Sequence, residues 1–402
     1  MKTPGNASDV FFWTVQSSDT VGRLTTMAVY LHRVLLPGIT LFGLIGNLLS
    51  LLVFTTTRLR RLSSSLYLSA LSLCDSAFLL CVLVLWVDTL NVPLFHRPGV
   101  CQTIVYLTFV FSFLSVWIVN VLTLEMYVIT FHLSTRTLQL LDRSVAVRVL
   151  ISLTGFALAF YTYNAWTIEI HDLDNGKKLC TESSAYFVLV LSCVDTLMTS
   201  LLPMVMMLVM TTRLLLAITK DTKRESLIQL QTKVNGKPSF QKTTDWTKNE
   251  NTVYVSAHEW KQTTILSELS LSGRRMGRGK NQSLCAYRKL RRMLIAVSVV
   301  FLILNLPQHI NKVQSQLRSL LDDGYQLSDV DQAVTHMLDL LFYSNFSVNF
   351  LVYSGFTKQF RNHVFAIPVF SICEMKFLRK CRKDGSPRQR KLLQMSSAAT
   401  GK

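Results

Sequence analysis

The sequence predicts an all-α membrane protein, a seven-transmembrane helix bundle, because seven long apolar runs divide its 402 residues. A helix needs about 20 mostly apolar residues to cross a bilayer, and only helices and closed barrels satisfy their backbone polar groups there. The predicted spans are residues 29–56, 65–87, 103–131, 145–166, 186–216, 293–311 and 333–353.

The placement of the basic residues predicts the orientation of this bundle. The formal net charge is +18, and most of the 42 lysine and arginine residues follow the first, third, fifth and seventh predicted spans. Positively charged loops stay in the cytoplasm, so we expect an extracellular N-terminus and a cytoplasmic C-terminus in the plasma membrane. The basic excess therefore indicates topology and attraction to anionic membrane lipid, not nucleic-acid binding.

Composition divides the chain into three parts. Residues 1–28 form an extracellular tail, residues 29–366 the membrane domain and residues 367–402 a cytoplasmic tail. Residues 219–286 are polar, so we predict a mostly disordered cytoplasmic loop there. Asn6 opens an Asn-Ala-Ser sequon, and we predict that it is glycosylated.

The loop before the fifth span predicts a β-hairpin. Asn175-Gly176 is typical of a tight hairpin turn, and strand-like residues flank it within 166–185. Cys101 at the outer start of the third span and Cys180 in this loop both lie on the oxidising side, which permits a disulfide. We expect a hairpin lid pinned to the third helix by Cys101–Cys180, with an irregular loop as the alternative.

A short amphipathic eighth helix is predicted after the seventh span. Phe356, Phe360 and Val364 recur at every fourth residue, with Lys358 and Arg361 between them. This spacing places an apolar stripe beside charges, which is typical of a helix lying in the inner membrane interface.

Several predicted spans contain polar residues, which are costly in lipid and mark function or specific helix packing. One carboxylate with amide and hydroxyl neighbours suits a monovalent cation, and it suits a hydrated network that packs the helices equally well. These residues are Asn47, Asp75, Ser115, Asn345 and Asn349.

The chain resembles the rhodopsin-like (class A) G-protein-coupled receptors through a set of short motifs that occur in order. No motif alone is specific, but the set is. The matching residues are Gly46-Asn47, Leu71-Ser72-Leu73-Cys74-Asp75, Cys101 with Cys180, Glu125-Met126-Tyr127, Pro203, Phe301 to Pro307, and Asn349-Phe350-Leu351-Val352-Tyr353.

This resemblance implies a signalling mechanism. An agonist in the outer cavity shifts the bundle, the sixth helix swings outward at its inner end, and a heterotrimeric G protein binds there. Pro307 supplies the bend, Phe301 packs below it, and Tyr353 reorients on activation. The polar set around Asp75 matches the family's sodium pocket, in which sodium favours the inactive state. No other cofactor is expected, and arrestin is a further expected partner.

The departures from the family pattern bear on coupling. Met126 replaces the arginine at the end of the third helix, and Tyr287 replaces a common acidic partner on the sixth. We interpret this as a weaker off-state, altered coupling or both, although some members signal without that arginine. Asn305 and Phe350 replace the usual aromatic residue and proline, and here the chain resembles invertebrate FMRFamide-like and myosuppressin-like peptide receptors.

The residues expected at the outer cavity favour a peptide ligand. Thr108 and Tyr343 replace the residues that bind amines and retinal, so an aminergic receptor and an opsin are disfavoured. Carboxylates near the cavity suit a cationic group such as the arginine of an amidated peptide. In the alternative, these charges face water or pair with Lys312 or Arg318. The predicted ligand contacts are Asp195, Gln308, His309, His336 and Asp339.

Other functional classes fit less well. No HExxH, paired catalytic aspartates or nucleophile motif is present in the spans, so an enzyme is not expected. A transporter would show inverted repeats or paired broken helices, and neither is evident in this sequence. A non-coupling decoy or scavenger receptor, motivated by Met126, and a chemosensory receptor for small molecules remain open.

Overall fold

The computed structural model describes nine stretches of the chain. They are residues 20–56, 63–90, 92, 94–131, 142–172, 178–182, 186–235, 279–321 and 328–365. Asn6, the Asn175-Gly176 turn, residues 236–278 and the tail from 366 lie outside them, as does the side chain of Tyr287. The predictions about these residues stay predictions.

Seven long helices form the first of two structural units, and each predicted span lies within one helix. The predicted seven-helix bundle is therefore confirmed. The helices are α1 (Thr20–Thr56), α2 (Ser63–Asp88), α3 (Val100–Phe131), α4 (Arg143–Phe160, prolonged by the turns Tyr161–Tyr163 and Asn164–Thr167), α5 (Tyr186–Thr196, a π-helical turn Leu197–Leu201, then Leu202–Asn235), α6 (Gly279–Leu321) and α7 (Asp329–Phe356).

Six helices, α1 to α6, are long and apolar enough in their described residues to cross a membrane. α7 is long enough, with 28 residues, but it carries Asp339, Asn345 and Asn349 along its length. A helix with polar side chains at lipid depth turns them toward its neighbours. α7 therefore lines the interior of the bundle.

Small residues let α1 approach α7 closely. A Cβ atom added at Gly46 would lie 2.9 Å from the Cβ atom of Phe350, and one added at Gly43 would lie 2.8 Å from the Cβ atom of Ser347, both on α7. Phe350 therefore fills a notch that glycine leaves in α1. The phenyl ring of Phe350 therefore has a packing role.

The predicted hairpin is confirmed. β1 (Ile168–Asp172) pairs antiparallel with β2 (Lys178–Glu182), with Ile170 opposite Cys180. The disulfide Cys101–Cys180 is formed, with Cα atoms 6.3 Å apart. Phe95, Ile168 and the two cysteines pack into one buried cluster, so the hairpin is tied to the start of α3 by a covalent bond and an apolar contact.

The prediction of disorder over residues 219–286 is wrong at both ends. α5 continues to Asn235, and α6 begins at Gly279. Extending an existing helix needs no new nucleus, and the Lys, Glu, Gln and Leu residues of 220–235 are good helix formers.

The second unit begins at Thr357 and contains the predicted eighth helix, α8 (Lys358–Phe365). Phe360 and Val364 are buried, as their spacing predicts. Phe356 does not belong to this helix, because it is the last residue of α7, and it is exposed.

Candidate functional site

The bundle has two chemically different ends. The disulfide end is the one at which Cys101 and Cys180 are bridged, and the Glu125 end is the opposite one. The ends of α4 and α6 and the starts of α5 and α7 meet at the disulfide end, because consecutive helices run antiparallel. The predicted ligand residues lie on α5, α6 and α7.

Asp195 on α5 is enclosed by partners from two other helices. Its Oδ1 accepts a hydrogen bond of 2.5 Å from the Tyr161 hydroxyl, and its Oδ2 lies 2.7 Å from the Nζ of Lys312. Asp195 is 3% exposed, whereas Lys312 is 37% exposed. The alternative in which this carboxylate pairs with Lys312 is the arrangement that the structure has. Tyr161 was not among the predicted residues, because nothing in its sequence neighbourhood distinguishes it from other aromatic residues of α4.

The π-helical turn Leu197–Leu201 carries two polar groups that contact other helices, the carbonyl of Met198 and the hydroxyl of Ser200. Pro203 cannot donate a hydrogen bond to the helix, and the wider turn precedes it. Trp117 of α3 donates to the carbonyl of Met198 at 3.0 Å. Ser200 lies 2.6 Å from Nδ1 of His309, so this turn joins α5 to both α3 and α6.

Gln308 and Asp339 connect α6 to α7. The Nε2 of Gln308 donates to Oδ1 of Asp339 at 2.6 Å, and Asn311 donates to Thr335 one turn away at 3.1 Å. The Oε1 of Gln308 is buried and has no hydrogen-bond partner among the described residues. An acceptor oxygen without a partner is therefore present beside a half-buried carboxylate.

His336 lies apart from these pairs. Its ring centroid is 5.8 Å from that of His32 on α1, and His32 is 6.0 Å from Tyr343. His32 was not predicted, because the sequence around a lone histidine in an apolar run does not indicate which residues of other helices it contacts.

A further histidine connects the hairpin to α2. The Nδ1 of His96 accepts the backbone N–H of Cys180 at 3.3 Å, and its Nε2 lies 3.0 Å from Asp88. Burial lowers the pKa of His96 below its usual value, and the charge of Asp88 opposes this in part. The neutral tautomer with its proton on Nε2 satisfies both contacts.

In the middle of the bundle, the structure brings together three of the five predicted network residues. Asp75 is fully buried, and its oxygens accept hydrogen bonds from Ser115 at 2.8 Å and Asn349 at 2.7 Å. Asn47 donates instead to the backbone of Phe346 at 2.8 Å. Both amide atoms of Asn345 are buried without a hydrogen-bond partner among the described residues.

The described residues include no group of three or more His, Cys, Asp or Glu side chains that would hold a metal ion. The fit of the central network to a cation therefore depends on one carboxylate and neutral oxygens. That donor set suits a weakly bound monovalent ion and not a transition metal.

At the Glu125 end, Glu125 contacts hydroxyl groups and Met126 is buried. The carboxylate of Glu125 accepts hydrogen bonds from Ser63 and from Ser64, the latter at 2.9 Å. Met126 is 2% exposed. The acid beside the replaced arginine is therefore held by the first turn of α2, a pairing that the sequence did not reveal.

A buried hydroxyl pair joins α3 to α6 at this end. The Oγ1 of Thr123 and the Oγ of Ser298 lie 2.7 Å apart. Tyr127 contacts α5 instead, through a 3.4 Å hydrogen bond from Arg213.

The remaining residues of the predicted switch are interior groups of α6 and α7. Phe301 is buried, Pro307 lies inside α6, and Asn305 donates to the carbonyl of Phe301 at 2.7 Å. Tyr353 is buried with its ring edge toward Phe54, at a centroid distance of 5.2 Å. Their switching role stays a prediction.

Comparison with known protein families identifies this architecture. The family model described as 7 transmembrane receptor (rhodopsin family) matches residues 46–353, from within the first helix to the last turn of the seventh. No curated protein matches the chain. The match covers most of the chain and reaches all seven helices of the bundle, and the chain therefore belongs to the rhodopsin family of seven-transmembrane receptors, which are multi-pass proteins of the plasma membrane.

Proposed function

We propose that this receptor binds an extracellular peptide and transmits the signal to a heterotrimeric G protein. The observation that carries the proposal is the disulfide-tied hairpin at the same end of the bundle as the polar side chains of α5, α6 and α7. A β-hairpin there offers backbone hydrogen bonds that a peptide is able to use.

The orientation follows from two features. A disulfide forms and persists on the oxidising side of a membrane, so the disulfide end is extracellular in this proposal. The basic segments after the first, third, fifth and seventh spans then lie in the cytoplasm, where anionic lipid attracts them. The Glu125 end receives the G protein, and arrestin binds the same face.

The mechanism uses α6 as the moving element. At the extracellular end, α6 is held to α5 by Lys312–Asp195 and to α7 by Gln308–Asp339. Pro307 interrupts the helical hydrogen bonds just below these contacts and supplies a bend. A peptide that binds these side chains differently in two positions of α6 shifts the equilibrium between them.

The site around Asp75 fits a sodium ion as an allosteric ligand. Asp75 supplies the charge, and the unpartnered Oδ1 of Asn345 is a neutral oxygen for the same interior. Asp75, Ser115 and Asn349 would hold the ion. A bound sodium ion would supply charge compensation there and would favour the inactive state.

A decoy receptor is the second candidate, and Met126 is the observation that favours it. A buried thioether has no charge with which to meet a G protein, and the adjacent Glu125 is occupied by α2. Such a receptor would bind and internalise its peptide without signalling.

The test is G-protein dissociation in living cells that express the wild-type receptor or the Met126→Arg variant, with surface expression matched. The ligands are a panel of amidated peptides that end in Arg-Phe. We expect the wild type to respond to at least one peptide. A response in Met126→Arg alone would mean that the site binds but the native Glu125 end does not couple, which favours the decoy. Silence in both, at normal expression, would contradict this peptide class.

A further inference from the structure

The ionisable side chains at the disulfide end differ in how much of their hydrogen-bonding capacity is already used. Both oxygens of Asp195 are bound, one by Tyr161 and one by Lys312, and Asp195 is almost fully buried. A ligand cation would have to displace one of these partners to reach it. Asp195 is therefore poorly placed as the primary contact for a positive group.

Asp339 is in the opposite situation. Only its Oδ1 is bound among the described residues, by Gln308, and the residue is half-buried. The Oε1 of Gln308 has no hydrogen-bond partner there and is buried. Two acceptor oxygens, one charged and one neutral, thus lie on neighbouring side chains, which is the pattern that a guanidinium group binds with several N–H donors.

Lys312 lies one helical turn beyond Gln308 on the same face of α6, where side chains four residues apart are neighbours. Its ammonium group has three donors and one partner among the described residues, Asp195. Since Asp195 already compensates its charge, the spare donors suit a neutral carbonyl oxygen. Counted together, Asp195, Lys312 and Asp339 carry one negative charge in excess, which disfavours a ligand carboxylate.

We infer that Asp339 and Gln308, and not Asp195, receive the basic group of the ligand, while Lys312, held by Asp195, donates to a neutral carbonyl of the same ligand. The ligand class is a peptide end with one basic side chain and an amidated terminus. Asp195 is a positioning residue in this arrangement, because it acts through Lys312. The inference rests on the proposed function and assigns the chemistry of the same site.

The experiment measures binding to the purified full-length receptor in lipid nanodiscs, so it does not depend on G-protein coupling. Three probes are titrated by calorimetry: acetyl-Arg-Phe-amide, its citrulline analogue, and the acetyl-Arg-Phe free acid. In the wild type we expect the arginine amide to bind about tenfold or more tightly than the citrulline amide, as for a hydrogen bond to a charged group. The free acid should bind more weakly than the arginine amide.

The variants separate the two carboxylates. Asp339→Asn should abolish the preference for arginine over citrulline. Asp195→Asn should keep that preference but reverse the preference for amide over acid, because Lys312 loses its compensating charge. Asp331→Asn is the matched control, since it removes a carboxylate from the same helix that pairs with Arg318 instead, and it should leave both ratios unchanged.

The opposite pattern overturns the inference. If the arginine preference survives Asp339→Asn and disappears in Asp195→Asn, then Asp195 is the cation site. If Asp339→Asn does not fold, Gln308→Met keeps every charge and should weaken the arginine probe several-fold, and unchanged binding there would contradict the inference. Failure of all three probes to bind the wild type would refute it as well, whereas a G-protein response to another ligand would leave the receptor function standing.

Discussion

The two ends of the bundle hold their helices together by different chemistry. At the disulfide end, a covalent bridge joins the hairpin to α3, an ion pair joins α5 to α6, and a hydrogen bond from an amide to a carboxylate joins α6 to α7. At the Glu125 end, α3 and α6 share a neutral hydroxyl pair, and the acid is directed to α2. A neutral hydrogen bond contributes about 1 kcal/mol, less than a buried charge-assisted one.

The contrast between the two ends indicates where the molecule is able to change shape. The end with stronger and more specific bonds is suited to recognising a ligand, whereas the end with weaker bonds between α3 and α6 is suited to opening. Met126 brings no charge to the Glu125 end, so the closed state there depends more on packing. Four predictions test this contrast, in order of decreasing effect.

Removal of the disulfide should have the largest effect on the receptor. Cys101→Ser breaks a bridge between residues 79 apart in sequence and should cost about 2–5 kcal/mol of stability. Thermal denaturation of the purified receptor measures this loss of stability. Cys193→Ser is the control, because Cys193 is a free cysteine in α5. Equal stability of the two variants would contradict a structural role for the bridge.

Removal of Lys312 should cause the next largest loss of stability. Lys312→Met leaves the buried Asp195 with Tyr161 as its remaining side-chain partner, and because Lys312 is partly exposed we expect a cost of about 2 kcal/mol. The matched control is Arg318→Met, since the Arg318–Asp331 pair is exposed on both sides and contributes less than about 1 kcal/mol. The same thermal assay compares them, and a larger loss in Arg318→Met would reverse the contrast between the two pairs.

Loss of the hydroxyl pair should be visible in signalling and hardly in stability. Thr123→Val and Ser298→Ala each remove one hydrogen bond of about 1 kcal/mol between α3 and α6, which corresponds to about fivefold higher basal activity. Spontaneous G-protein dissociation in cells reports it. Thr212→Val, at an exposed threonine of α5 that bonds its own helix, should leave basal activity unchanged. Basal activity that stays at the wild-type level in both variants would show that this pair does not hold the closed state.

The smallest expected effect is a pH dependence of the hairpin. Burial lowers the pKa of His96 below its usual value, so the unfolded chain binds this proton more readily than the folded one. The stability that neutral His96 contributes is present at high pH and is lost as the pH falls below about 6.5, the pKa of an unperturbed histidine. A proton on Nδ1 also ends its acceptance of the Cys180 N–H.

Thermal stability measured between pH 8 and pH 5 tests this point, with His96→Gln beside the wild type. The variant should lose part of the acid sensitivity. His171→Gln removes an exposed histidine of the same hairpin and should keep all of it. Identical pH profiles for His96→Gln and the wild type would exclude His96 as the responsible group.

Much of the architecture was predictable from local sequence. Apolar runs specify membrane helices because lipid leaves few alternatives, and Asn175-Gly176 between strand-like residues predicted the hairpin. The helix ends were not predictable, since polar helix formers continued α5 and α6 beyond the apolar runs. The sequence identified the polar residues of the site but not their partners.

Those partners depend on the rotation of each helix about its axis. One residue rotates an α-helix by about 100°, so the π-helical turn Leu197–Leu201 changes which side chains on either side of it share a face. The contacts of Asp195 with Tyr161 and Lys312 join three helices, and their combined rotations are not readable from any one of them. The serine partners of Glu125 were missed for the same reason, because they belong to the first turn of α2.

The central claim is that a ligand at the disulfide end moves α6 at the Glu125 end. The most direct measurement is the distance between spin labels at Val147 on α4 and Arg292 on α6, two exposed residues toward the Glu125 end, after replacement of the cysteines that do not form the disulfide. We predict that a bound Arg-Phe amide peptide lengthens this distance in the wild type and leaves it unchanged in Asp339→Asn. A distance that stays constant in the wild type while the peptide is bound would contradict the account.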